Sequence, residues 1–218
     1  ATAGEIATST NAIQWTLRTT GNVTNIINSL LYSTATTEYY LNCRAAGAIQ
    51  TSTDAIQWTS RTSGTTAALY QLLYGNVYVV AGASGVLNTS TNGIQWTLRT
   101  SGVGATNIYG LSYTSNTYIA SGASGTLAYS TDAINWRLRT SNFSTSTIQS
   151  SVFGNGLFAI GGGSGILSSA SLTSVSFAGN GGNGTRGGGG GGGAYSSELN
   201  RFGVGGNGGD GYVKITWW

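Results

Sequence analysis

Two carboxylates hold equivalent places in a repeated phrase: Asp54 in "STDAIQW" and Asp132 in "STDAINW". Asn11 and Asn92 take the same place in "STNAIQW" and "STNGIQW", and a Trp follows four residues later each time, at Trp15, Trp58, Trp96 and Trp136. A carboxylate, a hydroxyl and an indole ring are the groups a sugar site would use. Glycoside hydrolysis, however, needs two carboxyl groups flanking one bond. The acids are Glu5, Glu38, Asp54, Asp132, Glu198 and Asp210, and no non-repeating pair stands out. The chain has no His. It therefore offers no His base, no His metal ligand and no Ser–His–Asp set. Its single Cys43 rules out an intrachain disulfide and a thiolate-rich metal site. Cys43 reads as a small buried hydrophobe, with a free reactive thiol as the other reading. The glycine run ending at Gly193 lacks the Lys-Ser/Thr ending of a phosphate loop. No catalytic residue, cofactor or metal is expected.

Turn chemistry accounts for the repeated Asx. Its side chain accepts backbone N–H groups two residues on. Asn11, Asp54, Asn92 and Asp132 read as hairpin-turn residues, with Ser9, Ser52, Ser90 and Ser130 bonding across the same turn. The Ile that follows is expected to return to a strand, with the Trp two residues on, on the same face. Each Trp then packs between repeats or over the turn; the other reading is a stacking platform for sugars. Arg18, Arg61, Arg99 and Arg139 lie three residues after each Trp. They read as structural hydrogen-bond donors beside a turn, or as a ring that binds an anion.

The phrase belongs to a longer repeat, which sets the elements that must position it. Modules start at Gly4, Gly47, Gly85 and Gly125, and a degenerate fifth starts at Gly165 with Phe177 in the Trp place. The Trp spacings are 43, 38 and 40 residues. Each period holds four short apolar runs separated by Gly, Ser, Thr or Asn, which reads as four strands and their turns. No window shows a sustained 3.6-residue apolar period, so helix is nearly absent. Four antiparallel strands in about 40 residues, repeated, is the size of a propeller blade. The expected fold is all-β, a single five-bladed β-propeller with repeats near 4–46, 47–84, 85–124, 125–164 and 165–218. Module one lacks a preceding strand, and the chain's "GYVKITWW" supplies a candidate. Closure by residues 212–218 pairing near residues 4–10 would remove the exposed edges of an open array. A glycine-rich insertion at 179–194 falls in the last blade.

Composition narrows the partners. Only 7% of the 218 residues are charged, and the net charge of +3 is not clustered, so nucleic acid is poorly supported. No apolar run approaches the length of a membrane span. No signal peptide is visible.

The "S-x-[DN]-x-x-x-W" pattern resembles the Asp-box, or bacterial-neuraminidase, repeat. That resemblance implies a β-hairpin turn of a propeller, remote from any active site. A sialidase would add clustered Arg, a nucleophilic Tyr and acidic partners, which this chain does not assemble. The stretch from Gly187 to Trp218 resembles the glycine-rich C-terminal region of bacteriophage tail-fibre, adhesin and other virion proteins, through Gly208, Gly209, Gly211, Tyr212, Val213 and Ile215. It implies a non-enzymatic structural or adhesive module of a virion or cell surface. Its partners would be other virion or surface proteins, or a host-surface glycan, and its location the virion or extracellular space. A carbohydrate-binding lectin propeller is the alternative, and a glycosidase the third choice. Specificity lives in irregular loops on a rigid scaffold. Partner contact is accordingly expected at Arg186, Tyr195, Arg201, Phe202, Trp217 and Trp218.

Overall fold

A computed structural model describes residues 4–21, 25–35, 39–114, 116–163, 167–171, 195–196 and 201–202. The chain divides into two units, residues 1–170 and 171–218.

The first unit is a run of antiparallel meanders. β1 (Glu5–Thr8) pairs with β2 (Thr16–Thr19). β3 (Ile27–Ser33), β4 (Tyr39–Arg44), β5 (Ile49–Ser52) and β6 (Thr59–Arg61) form the second sheet. β7 (Leu69–Tyr74), β8 (Tyr78–Gly82), β9 (Leu87–Ser90) and β10 (Thr97–Arg99) form the third. β11 (Ile108–Thr114), β12 (Thr117–Gly122), β13 (Leu127–Ser130) and β14 (Arg137–Leu138) form the fourth. β15 (Ile148–Gly154), β16 (Leu157–Gly162) and β17 (Leu167–Ser171) form the fifth. The all-β expectation therefore holds across these five sheets, and the four-stranded repeat in the second, third and fourth, without any of them closing on itself. Among the described residues there is no α-helix, and 3-10 turns stand at Ala45–Gly47 and Ala83–Gly85.

The sheets are half a period out of phase with the Trp-aligned modules. Each module boundary, at Gly47, Gly85 and Gly125, falls between the second and third strands of a sheet. These glycines sit at φ near +70°, and each faces the backbone of the loop that leads into the next sheet. The hydroxyls of Thr20, Ser63 and Ser141 donate to the carbonyls of Gly4, Gly47 and Gly125. That bond ties the end of the fourth strand back to the start of the third.

Local chemistry repeats with the strands. β3, β7, β11 and β15 each shift register after their first residue, a bulge at Asn28, Tyr70, Tyr109 and Gln149. Asn155 and Gly156 join β15 to β16 with both φ positive, the two-residue turn whose twist suits a hairpin.

The core lies between successive sheets, and β3, β7, β11 and β15 neighbour one another in that order. Leu41, Cys43 and Ile49 of the second sheet pack with Leu69, Leu72, Tyr78 and Val80 of the third. Val79, Ala81 and Leu87 then meet Ile108, Leu111, Tyr118 and Ala128 of the fourth. Phe143, Ile148 and Ile160 continue this onto the fifth, against Leu127.

In the second unit β18 (Tyr195–Ser196) pairs antiparallel with β19 (Arg201–Phe202), Tyr195 opposite Phe202 and Ser196 opposite Arg201. Phe177, the 179–194 insertion and the 212–218 closing strand lie outside the described residues.

Candidate functional site

The four boxes share one geometry. Asn11 Oδ1 accepts the backbone N–H groups of Ile13 at 2.9 Å and Gln14 at 3.0 Å. Asp54 accepts Ile56 and Gln57 at 2.8 Å each. Asn92 accepts Ile94 and Gln95, and Asp132 accepts Ile134 and Asn135. Ser9, Ser52, Ser90 and Ser130 donate their hydroxyls to the same Asx oxygens. These bonds hold Asp54 below the usual carboxylate range, the Gln57 N–H contributing most. Asp132 is depressed further, led by the Asn135 N–H and side-chain amide.

One expectation fails here. The Ile after each Asx does not return to a strand. Its N–H, and the next, are spent on the Asx side chain and not on a ladder. Ala12, Ala55 and Ala133 take φ near +59°, and Gly93 fills the same place at +70°. The chain therefore curls for six or seven residues, and strand resumes only after the Trp, at Thr16, Thr59, Thr97 and Arg137. The indole folds back on its own loop. Nε1 of Trp15, Trp58, Trp96 and Trp136 donates to the carbonyl of Ala12, Ala55, Gly93 and Ala133.

The arginines are engaged within their own sheets. Nε of Arg18, Arg61 and Arg99 donates to Oγ1 of Thr8, Thr51 and Thr89 at 3.1, 2.9 and 2.8 Å. In the fourth sheet Tyr129 replaces that Thr. Arg139 donates to the Tyr129 hydroxyl, and its guanidinium lies 4.5 Å from the ring centre.

Sequence reasoning missed two features. The first is Arg44, fully buried. It donates to Asn42 Oδ1 at 2.8 Å, to Gln50 Oε1 at 2.7 Å and to the Asn25 carbonyl. Burial lowers its guanidinium from the ordinary value. The signal was present: Arg44 ends "YLNCR" where the other repeats end in Gly82, Gly122 and Gly162.

The second is a groove of about 710 Å³ between the first and second sheets. Trp15, Leu30, Tyr32, Tyr40, Ile56 and Trp58 supply its apolar wall, and Asn11, Gln14, Arg18 and Asp54 its polar groups. Asp54 is its one carboxylate among the described residues, and two are needed to cleave a glycosidic bond. No cluster of three His, Cys, Asp or Glu among the described residues could hold a metal. The box rings differ in exposure: Trp15 is 62% exposed, whereas Trp136 is 9% exposed against Tyr118. Of the residues expected to meet a partner, Tyr195, Arg201 and Phe202 fall in the β18–β19 hairpin. Arg186, Trp217 and Trp218 lie outside the described residues. No described helix is long and apolar enough to cross a membrane.

No family model matches the chain, and no curated protein matches it. Solved structures do. The computationally designed Ika4 protein aligns at 16% identity and TM-score 0.57, over 73% of this chain and 99% of its own. YCF48 from Cyanidioschyzon merolae aligns at 16% identity and TM-score 0.59, over 77% of this chain and 63% of its own. The β-propeller domain of Cps50 (Swd1) from Myceliophteria thermophila aligns at 11% identity and TM-score 0.56, over 74% and 60%. At such identities the likeness is one of fold, and that fold is propeller-like.

Proposed function

We propose that this chain is a non-enzymatic structural or adhesive module of a virion or cell surface. We further propose that it is a five-bladed propeller with Asp-box turns, closed through its C-terminal strand. One observation carries the functional reading. The repeated groups with chemical potential are consumed by the scaffold: Asx oxygens by two backbone N–H groups, indoles by a carbonyl, and arginines by a Thr or Tyr hydroxyl. What remains for a partner is the irregular part of the chain. The glycine-rich 179–194 insertion, flanked by Tyr195, Arg201 and Phe202, fits an anchor in which aromatic rings and Arg carry the interface energy. Arg186, Trp217 and Trp218 belong to the same proposal.

A lectin with one sugar per blade is less well supported, because Trp136 is buried and Trp96 packs against the core between the second and third sheets. The test has two parts. A glycan screen with calorimetric stoichiometry is expected to show no set of four or five equivalent sugar sites. Replacing residues 181–193 by an Asn-Gly turn is expected to leave a folded chain that no longer attaches to its particle or surface. Full attachment by that folded variant would overturn the anchor, and four or five bound sugars would establish the lectin.

A further inference from the structure

The second and third sheets, and the third and fourth, are joined by the same three devices. β7 packs on β3 and β4, and β11 on β7 and β8. The first device is a leucine from each side brought into one core: Leu31 with Leu72, then Leu73 with Leu111. The second is a side chain of the earlier sheet that accepts a backbone N–H of the later one. Ser29 Oγ takes that of Leu72 at 3.2 Å, and Gln71 Oε1 takes that of Leu111 at 2.8 Å. The third is the phenol of the second strand. The Tyr78 hydroxyl donates to Ser33 Oγ, and the Tyr118 hydroxyl accepts the N–H groups of Asn76 and Val77.

β15 packs on β11 and β12 in the same way, but all three devices are gone. The leucine places hold Ser112 and Ser151, the acceptor place holds Gly110, and the phenol place holds Phe158. The hydroxyl oxygens of Ser112 and Ser151 are buried with no hydrogen-bond partner among the described residues. Gly110 has no side chain to offer the Ser151 nitrogen, which would stand 3.1 Å from a Cβ built there. The Ser121 hydroxyl occupies that place and turns back to the Gly110 carbonyl at 3.5 Å. The cross-strand partners of Ser112 and Ser151 are Ile119 and Ile160. These two, with Leu127 and Phe158, wall a cavity of about 180 Å³ in the same junction. Small side chains let the backbones approach, yet they bury less apolar area than a leucine pair. Closed, the junction withholds two hydroxyls from water without replacing the bonds they lose; opening restores those bonds.

We propose that the junction between the fourth and fifth sheets is a built-in seam, along which the fifth sheet parts from the fourth while the earlier junctions stay shut. Opening uncovers Ile119, Leu127, Phe158 and Ile160 together, so the device presents an apolar face only in its open state. The seam goes beyond the functional reading above and does not rest on it.

The test compares two thiols on adjacent residues of β11 in the full chain, each in a Cys43→Ala background. Ser112→Cys faces the fifth sheet and Leu111→Cys the third, and the parent residues are almost equally buried, at 5% and 2% exposure. An aromatic disulfide reagent is added to the folded chains without denaturant. The Ser112→Cys thiol is expected to react roughly tenfold faster or more, because it is freed by opening of the seam alone. Equal rates, or a faster Leu111→Cys thiol, would overturn the proposal, since both faces would then open only with the whole unit. A second variant restores the leucines: Ser112→Leu with Ser151→Leu. It is expected to slow hydrogen exchange at the β15–β16 ladder amides toward that of the matched amides of β7–β8 and β11–β12. A folded double variant whose β15–β16 amides exchange as fast as the parent's would overturn the proposal, because the fifth sheet would then loosen for a reason other than the serines. If the double variant does not fold, the two labelling rates decide. Either failure leaves the non-enzymatic reading standing, since that is judged by the glycan screen and the attachment assay.

Discussion

The hydroxyl of Tyr118 accepts the backbone N–H of Asn76 at 2.7 Å, and that of Val77 at 3.2 Å. One phenol thus holds the turn of the third sheet against the second strand of the fourth. Burial raises its pKa, so it stays a neutral hydroxyl through the physiological range. Removing the oxygen leaves two turn N–H groups without this acceptor in a partly buried place. Tyr118→Phe is expected to cost about 1–3 kcal/mol, since an unmet donor keeps its desolvation penalty and loses the bond that offset it. Urea unfolding with an unchanged m-value would show this. A midpoint equal to the parent's would remove the phenol from the inter-sheet contact.

Gly85 marks where a module begins and where no side chain fits. Its φ is +71°, and an added Cβ would overlap the carbonyl oxygen of Gly104. Gly47 and Gly125 meet Thr65 and Ser144 in the same way. Backbone cannot swing aside as a flexible side chain does. Gly85→Ala is expected to lower stability by roughly 3 kcal/mol or more, in the upper tail for single substitutions. Gly64→Ala is the control: its φ is also positive, at +78°, but nothing lies within 4 Å of its Cβ. It carries the conformational penalty without the clash, and equal losses in the two variants would refute the packing argument.

Those glycines show what the sequence made legible. Repeats anchored on Gly and Trp gave the four strands of the second, third and fourth sheets and the turn role of Asn11, Asp54, Asn92 and Asp132, because turn chemistry is local. The Ile-Gln-Trp segments misled, since alternation looks the same in a strand and in a short curl whose N–H groups bond a side chain. Arg44 stood out in the sequence only as a break in the repeat, and its burial could not be read there for a different reason. A guanidinium can be buried only if distant acceptors converge on it, and Asn25, Asn42 and Gln50 converge through sheet pairing. The groove needed three dimensions too, since Leu30 and Leu72 look alike in the chain and differ only in what precedes their sheet.

Two boxes titrate and two do not. Asp54 and Asp132 have depressed pKa values, led by the N–H groups of Gln57 and Asn135. A depressed folded pKa adds stability that is present above the unfolded value, near 3.9, and is lost as pH falls through the folded one. Asn11 and Asn92 build the same turn without a charge. Asp54→Asn with Asp132→Asn should therefore fold, and should lose less stability than the parent between about pH 4 and pH 2. Thermal melts of both chains across that range would show it. Parallel curves would mean that the carboxylates contribute no more than the amides.

Cys43 offers a probe of the core in the second sheet. It is fully buried between Leu41 and Ile49, and burial pushes its thiol up to about 12 despite the Ser29 N–H. Only the thiolate attacks a disulfide reagent. At pH 8 the folded chain is expected to react with an aromatic disulfide at the rate at which the sheet opens, and the urea-unfolded chain at once. The sign of the pH dependence follows. Between the ordinary thiol value near 8.5 and the folded value, the unfolded chain loses this proton and the folded chain keeps it. The thiol's contribution is therefore full below about pH 8.5 and falls as pH rises toward the folded value. Cys43→Ala isolates that slope, because the two chains differ only at this residue. The parent should lose stability more steeply than the variant from about pH 9 upward. Rapid stoichiometric labelling of the folded chain, or identical alkaline slopes, would place the thiol outside the core.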